Sequence, residues 1–112
     1  MRDDDLFARV TSQTLDERSG AETIRRAAAE AFGEGLDDNA VGLFTLALTG
    51  SLDALAPLIE RYRPEVKWSI EATGSSYVAR VQCPRGDNPA KARTPGRALL
   101  LSYLRSLRGG VH

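Results

Sequence analysis

Histidine and cysteine, which supply many of the nucleophiles, proton carriers and metal ligands of enzymes, occur only once each in this sequence. The histidine is the last residue, His112, where no neighbour would position it for acid–base catalysis. The cysteine, Cys83, cannot form an internal disulfide, lacks a nearby histidine base, and sits where a buried strand residue is expected. We therefore predict a protein that is not an enzyme and that binds no metal and no cofactor.

The sequence also lacks a long apolar run. No stretch approaches the roughly 18 residues that a membrane span requires. The first ten residues, MRDDDLFARV, are acidic and lack the basic and then apolar order of a signal peptide. The glycines do not form a phosphate-binding loop, and neither Asp3 to Asp5 nor Asp37-Asp38 has calcium-loop spacing. These absences predict a cytoplasmic protein that does not contact a membrane.

Net charge is absent as well, since 15 Lys and Arg balance 15 Asp and Glu. The balance hides a division along the chain. Residues 1–60 contain 12 acidic and 5 basic side chains, a balance of −7, whereas residues 61–112 contain 3 acidic and 10 basic ones, a balance of +7. With 112 residues the chain predicts a single domain, helical and acidic over 1–63, and basic over 64–110. Either the two halves attract each other, or each meets a charged partner.

Two helices are predicted before residue 34. A short helix within residues 3–12 has apolar residues on one side and aspartates at its start. The second helix has a capping-box pattern, in which Ser19 would cap the chain and Glu22 would bond back to it. Gly33 would end that helix, whose small apolar residues recur at helical spacing.

Two more helices are predicted before residue 64. Asp37 or Asp38 would cap a segment that is apolar nearly all round and that we expect to be buried, with a buried strand as the alternative. Ser51 would cap the fourth helix. Pro57 would either bend that helix or begin a new one at its first position.

Residues 66–83 have the two-residue alternation of a β-hairpin. The even-numbered residues of 66–72 are apolar and the odd-numbered ones polar, so the former should face the core. In the second strand the odd-numbered residues of 77–83 should face inward, after a glycine-containing turn over 73–76. A register error of one residue would bring Trp68 and Tyr77 to the outside.

The rest of the chain predicts a loop over residues 84–89, a short edge strand over 90–93 and a final helix. Thr94 would cap that helix, with Pro95 at its first position. The resulting fold class is α+β: N-terminal helices, an antiparallel two- or three-stranded sheet, and a C-terminal helix packed on the sheet in two layers. The predicted core is Ile24, Phe32, Leu43, Phe44, Leu48, Leu55, Ile59, Trp68, Ile70, Val81, Leu100 and Leu104.

Parts of this pattern resemble a known group of sequences. The run from Ser51-Leu52-Asp53-Ala54, through Trp68 and Tyr77-Val78-Ala79, to Thr94-Pro95 and Ala98-Leu99 resembles small uncharacterised phage and prophage proteins, including those with the phage ABA-sandwich domain. The resemblance covers residues 49–107. It implies a phage or prophage accessory protein in the bacterial host cytoplasm and carries over no catalytic residue. By association, it also suggests an inhibitor of a host defence system, such as an anti-CRISPR protein.

Basic side chains on the outward side of the strands and along the last helix form the candidate binding surface. A plain solvated face is the simplest interpretation; a host or phage protein is the partner we expect, and nucleic acid is the alternative. Nucleic acid is less favoured because the predicted outward side lacks aromatic side chains on which bases stack. A homodimer is a further alternative, because the apolar segment 41–48 exceeds what a small core can bury. The candidate partner-binding residues are Lys67, Arg80, Lys91, Arg93, Arg97, Arg105 and Arg108.

Overall fold

The structure, a computed structural model, describes residues 6–12, 15–83 and 86–109, without the side chains of residues 7, 83, 86, 87, 108 and 109. Within these ranges, five helices and a three-stranded antiparallel sheet of order β1-β2-β3 confirm the α+β prediction. Predictions for the first aspartates, for the side chains of Cys83 and Arg108, and for His112 lie outside the described residues. The elements are α1 (Leu6–Thr11), α2 (Ala21–Phe32), α3 (Asp38–Leu48), α4 (Leu52–Tyr62), β1 (Lys67–Thr73), β2 (Ser76–Cys83), β3 (Gly86–Ala92) and α5 (Pro95–Gly109).

Three of the predicted helix starts are confirmed and one is wrong. Asp37 accepts a hydrogen bond from the Ala40 amide at 2.8 Å, and Ser51 caps α4 in the same way. The Thr94 hydroxyl accepts from the amide of Arg97 at the start of α5. The capping box of α2 does not form, because the helix begins after Gly20 and the Ser19 hydroxyl accepts instead from the Asp16 amide.

Helix α4 continues through Pro57 as one helix. Proline has no amide hydrogen, so the carbonyl of Asp53, one turn earlier, loses its helical donor. Both residues are exposed, and water can bond to that carbonyl. The cost of a proline inside the helix is therefore reduced by its place on the solvent side.

The sheet has the predicted hairpin register. Trp68 lies opposite Val81 and Ile70 opposite Ala79, so the inner faces of β1 and β2 coincide as expected. The predicted loop over 84–89 is wrong for residues 86–89, since β3 already begins at Gly86. Pro89 lies in this strand, which is tolerated because β3 is an edge strand and needs fewer amide donors.

Helix α5 is the centre of the molecule rather than an outer layer. All seven residues from 98 to 104 are buried. One side of the helix packs on β2 and β3, and the other side on α1, α3 and α4. The predicted two layers, sheet and C-terminal helix, are present, but the other helices pack on the far side of α5, which therefore lies between them and the sheet.

An aromatic cluster joins α5 to α2. The ring of Tyr103 stacks on Phe32 with a centroid separation of 4.9 Å and an interplanar angle of 11°, and Phe44 meets Phe32 edge-on at 6.2 Å. The Tyr103 hydroxyl donates a hydrogen bond of 2.6 Å to the carbonyl of Ala31 in the last turn of α2. That carbonyl has no helical donor of its own, so Tyr103 satisfies a helix terminus inside the core.

Burial raises the pKa of Tyr103, while the nearby Arg63 acts in the opposite direction. Above about pH 10 the unfolded chain releases this proton and the folded chain retains it, so stability falls as the pH rises. We expect the free energy of unfolding to drop by up to about 1.4 kcal/mol for each pH unit between the two pKa values. Urea unfolding of wild type and Tyr103→Phe from neutral to alkaline pH measures this. An equally steep alkaline decline in both proteins would contradict it.

The predicted core is confirmed for most of its members but not at its margins. Leu43, Trp68 and Ile70 are only partly buried and pack against the core from its edge. Helix α3 is less buried than predicted, because Leu46 is 52% exposed to solvent. No helix in the described ranges is both long and apolar enough to cross a membrane.

Candidate binding surface

The side of the sheet that faces away from α5 forms a continuous exposed surface, called here the outer sheet face. The register determines which residues belong to this face, because each outward residue of β2 lies between one residue of β1 and one of β3. Arg80, for example, lies between Ser69 and Pro89. The described members of the outer sheet face are Lys67, Ser69, Glu71, Val78, Arg80, Gln82, Pro89 and Lys91.

Basic residues outnumber acidic ones among these side chains. Lys67 and Lys91 are exposed near the two edges, and Arg80 is half-buried on the central strand. Glu71 is the one acidic member whose side chain is described. Arg80 is diagonal to both Lys67 and Glu71 on the adjacent strand, within reach of long side chains.

The three cations of this face have no charged partner in the part of the chain that the structure describes. The ion pairs found there involve other arginines, Arg9, Arg25, Arg26 and Arg63. Nor does the side chain of Lys67, Arg80 or Lys91 donate a hydrogen bond within those ranges. A cation that forms no internal ion pair or hydrogen bond keeps its charge available for an external anionic group.

The remaining candidates lie elsewhere. Arg93 is exposed just after β3, at the border of the outer sheet face. Arg97 donates from Nη2 to the carbonyl of Val10 at 3.1 Å, which satisfies the last turn of α1. Arg105 donates from Nη1 to the carbonyl of Pro89 at 2.5 Å. These two α5 arginines hold elements together, and the side chain of Arg108 lies outside the description.

The described ion pairs do not connect the acidic and basic halves. Arg9 pairs with Glu30 at 3.1 Å within the acidic half, and Arg63 lies 4.0 Å from Glu65 within the basic half. The halves are joined instead by the core and by hydrogen bonds from α5, those of Arg97 and Tyr103, to the carboxyl ends of α1 and α2. None of these described ion pairs therefore contributes an attraction between the acidic and the basic half of the chain.

A small cleft of about 190 Å³ lies between the segment after α1 and the start of α5. Val10, Leu15, Glu17 and Leu48 contribute to its lining, as does Arg97. This volume is below the roughly 300 Å³ at which small-molecule pockets begin. The guanidinium of Arg97 at this cleft already donates a hydrogen bond to the carbonyl of Val10. Within the described ranges, no group of three or more His, Cys, Asp or Glu side chains could hold a metal ion.

Alternation along the strands predicted Lys67, Arg80 and Lys91 on one side of the sheet, but the arginines of α5 were predicted to belong to the same surface. The burial of α5 on all sides over 98–104 was not predicted, and because of it the arginines of this helix reach the surface only near its ends. A run of seven residues with only Ser102 as a strongly polar member was the available signal. Comparison with protein-family models, with curated proteins and with solved structures found no match.

Proposed function

We propose that this chain is a non-enzymatic binding protein that presents its outer sheet face to an acidic surface of another protein. The observation that carries the proposal is that Lys67, Arg80 and Lys91 lie on one exposed face and form no ion pair in the described ranges. Basic groups arranged in this way accelerate encounter with an acidic surface and select against basic ones.

The composition of the face favours a protein over a nucleic acid. Trp68 and Tyr77 lie on the inner side, with the core residues. The described outer side chains therefore offer no aromatic ring for stacking with bases, which single-strand binders use. Val78, half-buried at the centre of the face, adds a small apolar contact of the kind found in protein interfaces.

The biological role proposed with this activity is that of a phage or prophage accessory protein in the host cytoplasm, acting as an inhibitor of a host defence system such as CRISPR. The resemblance of residues 49–107 to small phage proteins supports this role by association. An inhibitor of this kind needs a stable fold and a charged surface but no catalytic residue. The acidic N-terminal helices offer a second route, occupation of a nucleic-acid channel of the target.

The proposal predicts that Arg80→Glu with Lys91→Glu abolishes capture of the partner. Reversing two cations of the outer sheet face places like charges against the acidic surface, and we expect affinity to fall at least about a hundredfold. The measurement is affinity capture from bacterial lysate with quantitative mass spectrometry, followed by a titration with the purified partner.

Arg18→Glu with Arg61→Glu is the matched control, because both residues are exposed and lie on the helical side. This control changes the net charge equally and should leave capture intact. Equal capture by both double variants and wild type would contradict the proposal.

Nucleic acid is the second candidate, favoured by the same unpaired cations. It predicts binding of a DNA or RNA oligonucleotide in a gel shift that collapses as salt rises, because each neutralised phosphate releases counterions. The Arg80→Glu, Lys91→Glu variant would then bind more weakly, and its affinity would depend less steeply on salt. Absence of any shift at low salt would exclude this candidate.

A further inference from the structure

The two edges of the sheet differ in their ability to accept another strand. The β3 edge contains Pro89, which has no amide hydrogen, and the carbonyl of Pro89 already accepts from Arg105. Strand β1 has seven residues and no proline, and α5 packs on it only lightly compared with β2 and β3. An edge strand with free amide and carbonyl groups is a template for pairing with another strand.

Strand β1 is complementary to itself in one antiparallel register. When a twofold axis perpendicular to the sheet passes through Ser69, Lys67 of one copy lies opposite Glu71 of the second copy. The symmetry generates this pair twice, so both charges of the strand are matched on the outer sheet face. Centring the axis on Trp68 or Ile70 instead would place Lys67 opposite an uncharged residue.

The same register matches the inner side of the strand. Trp68 of one copy lies opposite Ile70 of the second, and both are apolar residues that α5 leaves only partly buried. Their exposed portions would be covered by the second copy. We propose that this chain forms a homodimer by antiparallel pairing of β1 with β1, which joins two sheets into one of six strands.

Among the described residues, another apolar feature that could join two copies is Leu46 on α3, which is 52% exposed. Its exposed neighbours on the helix, Asn39 and Gly42, are uncharged and specify no partner or register. Single exposed apolar residues are common on monomeric proteins. Strand β1 differs because charge and apolar surface match in one alignment.

Charge exchange between the two positions tests the proposal. The mass of wild type is measured by sedimentation equilibrium over a range of concentrations, with thermal unfolding as the check that each variant folds. We expect a dimer whose dissociation constant rises at least about tenfold in Lys67→Glu and in Glu71→Lys, since each substitution creates two like-charge contacts. The double variant restores both pairs in reversed order and should return to within about threefold of wild type.

Lys91→Glu is the control for net charge, since it lies on the other edge strand and should leave the dissociation constant unchanged. A wild-type monomer at all concentrations would overturn the proposal. So would a folded double variant that stays as weak as the single ones, or loss of the dimer in Leu46→Ser with its retention in Lys67→Glu. This inference does not depend on the proposed function. The dimer takes Lys67 into the contact between the copies, whereas Arg80 and Lys91, with which the proposed function is tested, lie on β2 and β3 outside that contact.

Discussion

Replacing Gly96 by alanine is expected to destabilise the protein by about 3 kcal/mol or more. Gly96 lies in the first turn of α5, directly against the turn between α3 and α4. A Cβ atom there would lie 2.5 Å from the carbonyl carbon of Gly50 and from the amide nitrogen of Leu52, and closer still to the Gly50 oxygen. These are backbone atoms, so no side-chain rotation can relieve the contact.

The effect should be large because α5 is the centre of the core. Its start would have to move away from the α3–α4 turn, which disturbs packing on the sheet and on the helices together. The measurement is urea unfolding combined with thermal unfolding, in which a loss of this size lowers Tm by more than about 10 °C.

Gly42→Ala provides the matched control, because this glycine lies within α3, is exposed, and has no neighbour within 4 Å of the added atom. Alanine there should stabilise the protein by up to about 1 kcal/mol, from its higher helix propensity. Wild-type stability of Gly96→Ala would contradict the close packing of α5 on the turn.

Replacing Ser102 by alanine is expected to cost about 2 to 4 kcal/mol. The Ser102 hydroxyl accepts a hydrogen bond of 2.8 Å from the Val81 amide and donates one to the carbonyl of Asn88. Val81 and Asn88 are opposite each other on β2 and β3, so the helix hydroxyl bridges the two strands. Ser102 is completely buried and Val81 nearly so, and alanine would leave their former partners without a bond in the core.

Ser106→Ala is the corresponding control on the same helix. Its hydroxyl bonds to the carbonyl of Tyr103, three residues earlier, and it is half-buried. Removing this local bond should change stability by less than about 0.5 kcal/mol. Urea unfolding measures both variants, and amide exchange at Val81 should accelerate specifically in Ser102→Ala. A cost for Ser102→Ala no larger than that of Ser106→Ala would show that the bridge is unimportant.

The local elements of this fold follow from short-range chemistry and were predictable from the sequence. Side-chain caps at Asp37, Ser51 and Thr94 act on amides within three residues, and so they are visible without tertiary information. The alternation of residues 66–83 set the inner and outer sides of the hairpin, which located Lys67 and Arg80 on one exposed face. The α+β class followed from the order of these elements.

Where two local interactions competed, the sequence alone did not decide. Ser19 and Glu22 have the spacing of a capping box, yet the Ser19 hydroxyl bonds to Asp16 in the preceding turn. Residues 86–89 carry turn-forming residue types, but pairing with β2 makes them a strand. Whether such residues pair as a strand depends on the elements against which the sheet packs, and the β-propensity of single residues does not contain that information.

The tertiary structure alone decided the place of α5 and the separation of the candidate binding residues. The apolar run 98–104 is compatible with burial on all sides, but only the tertiary contacts on both sides of α5 show that Leu99, Ser102 and Tyr103 are buried along with the predicted face. Arg97 and Arg105 then bond to carbonyls of α1 and β3, while Lys67, Arg80 and Lys91 stay exposed or half-buried on the opposite side of the sheet. Periodicity along α5 cannot show which of its arginines bond internally, because the bonding partner can be far away in sequence. Arg97 and Val10, for example, are more than 80 positions apart.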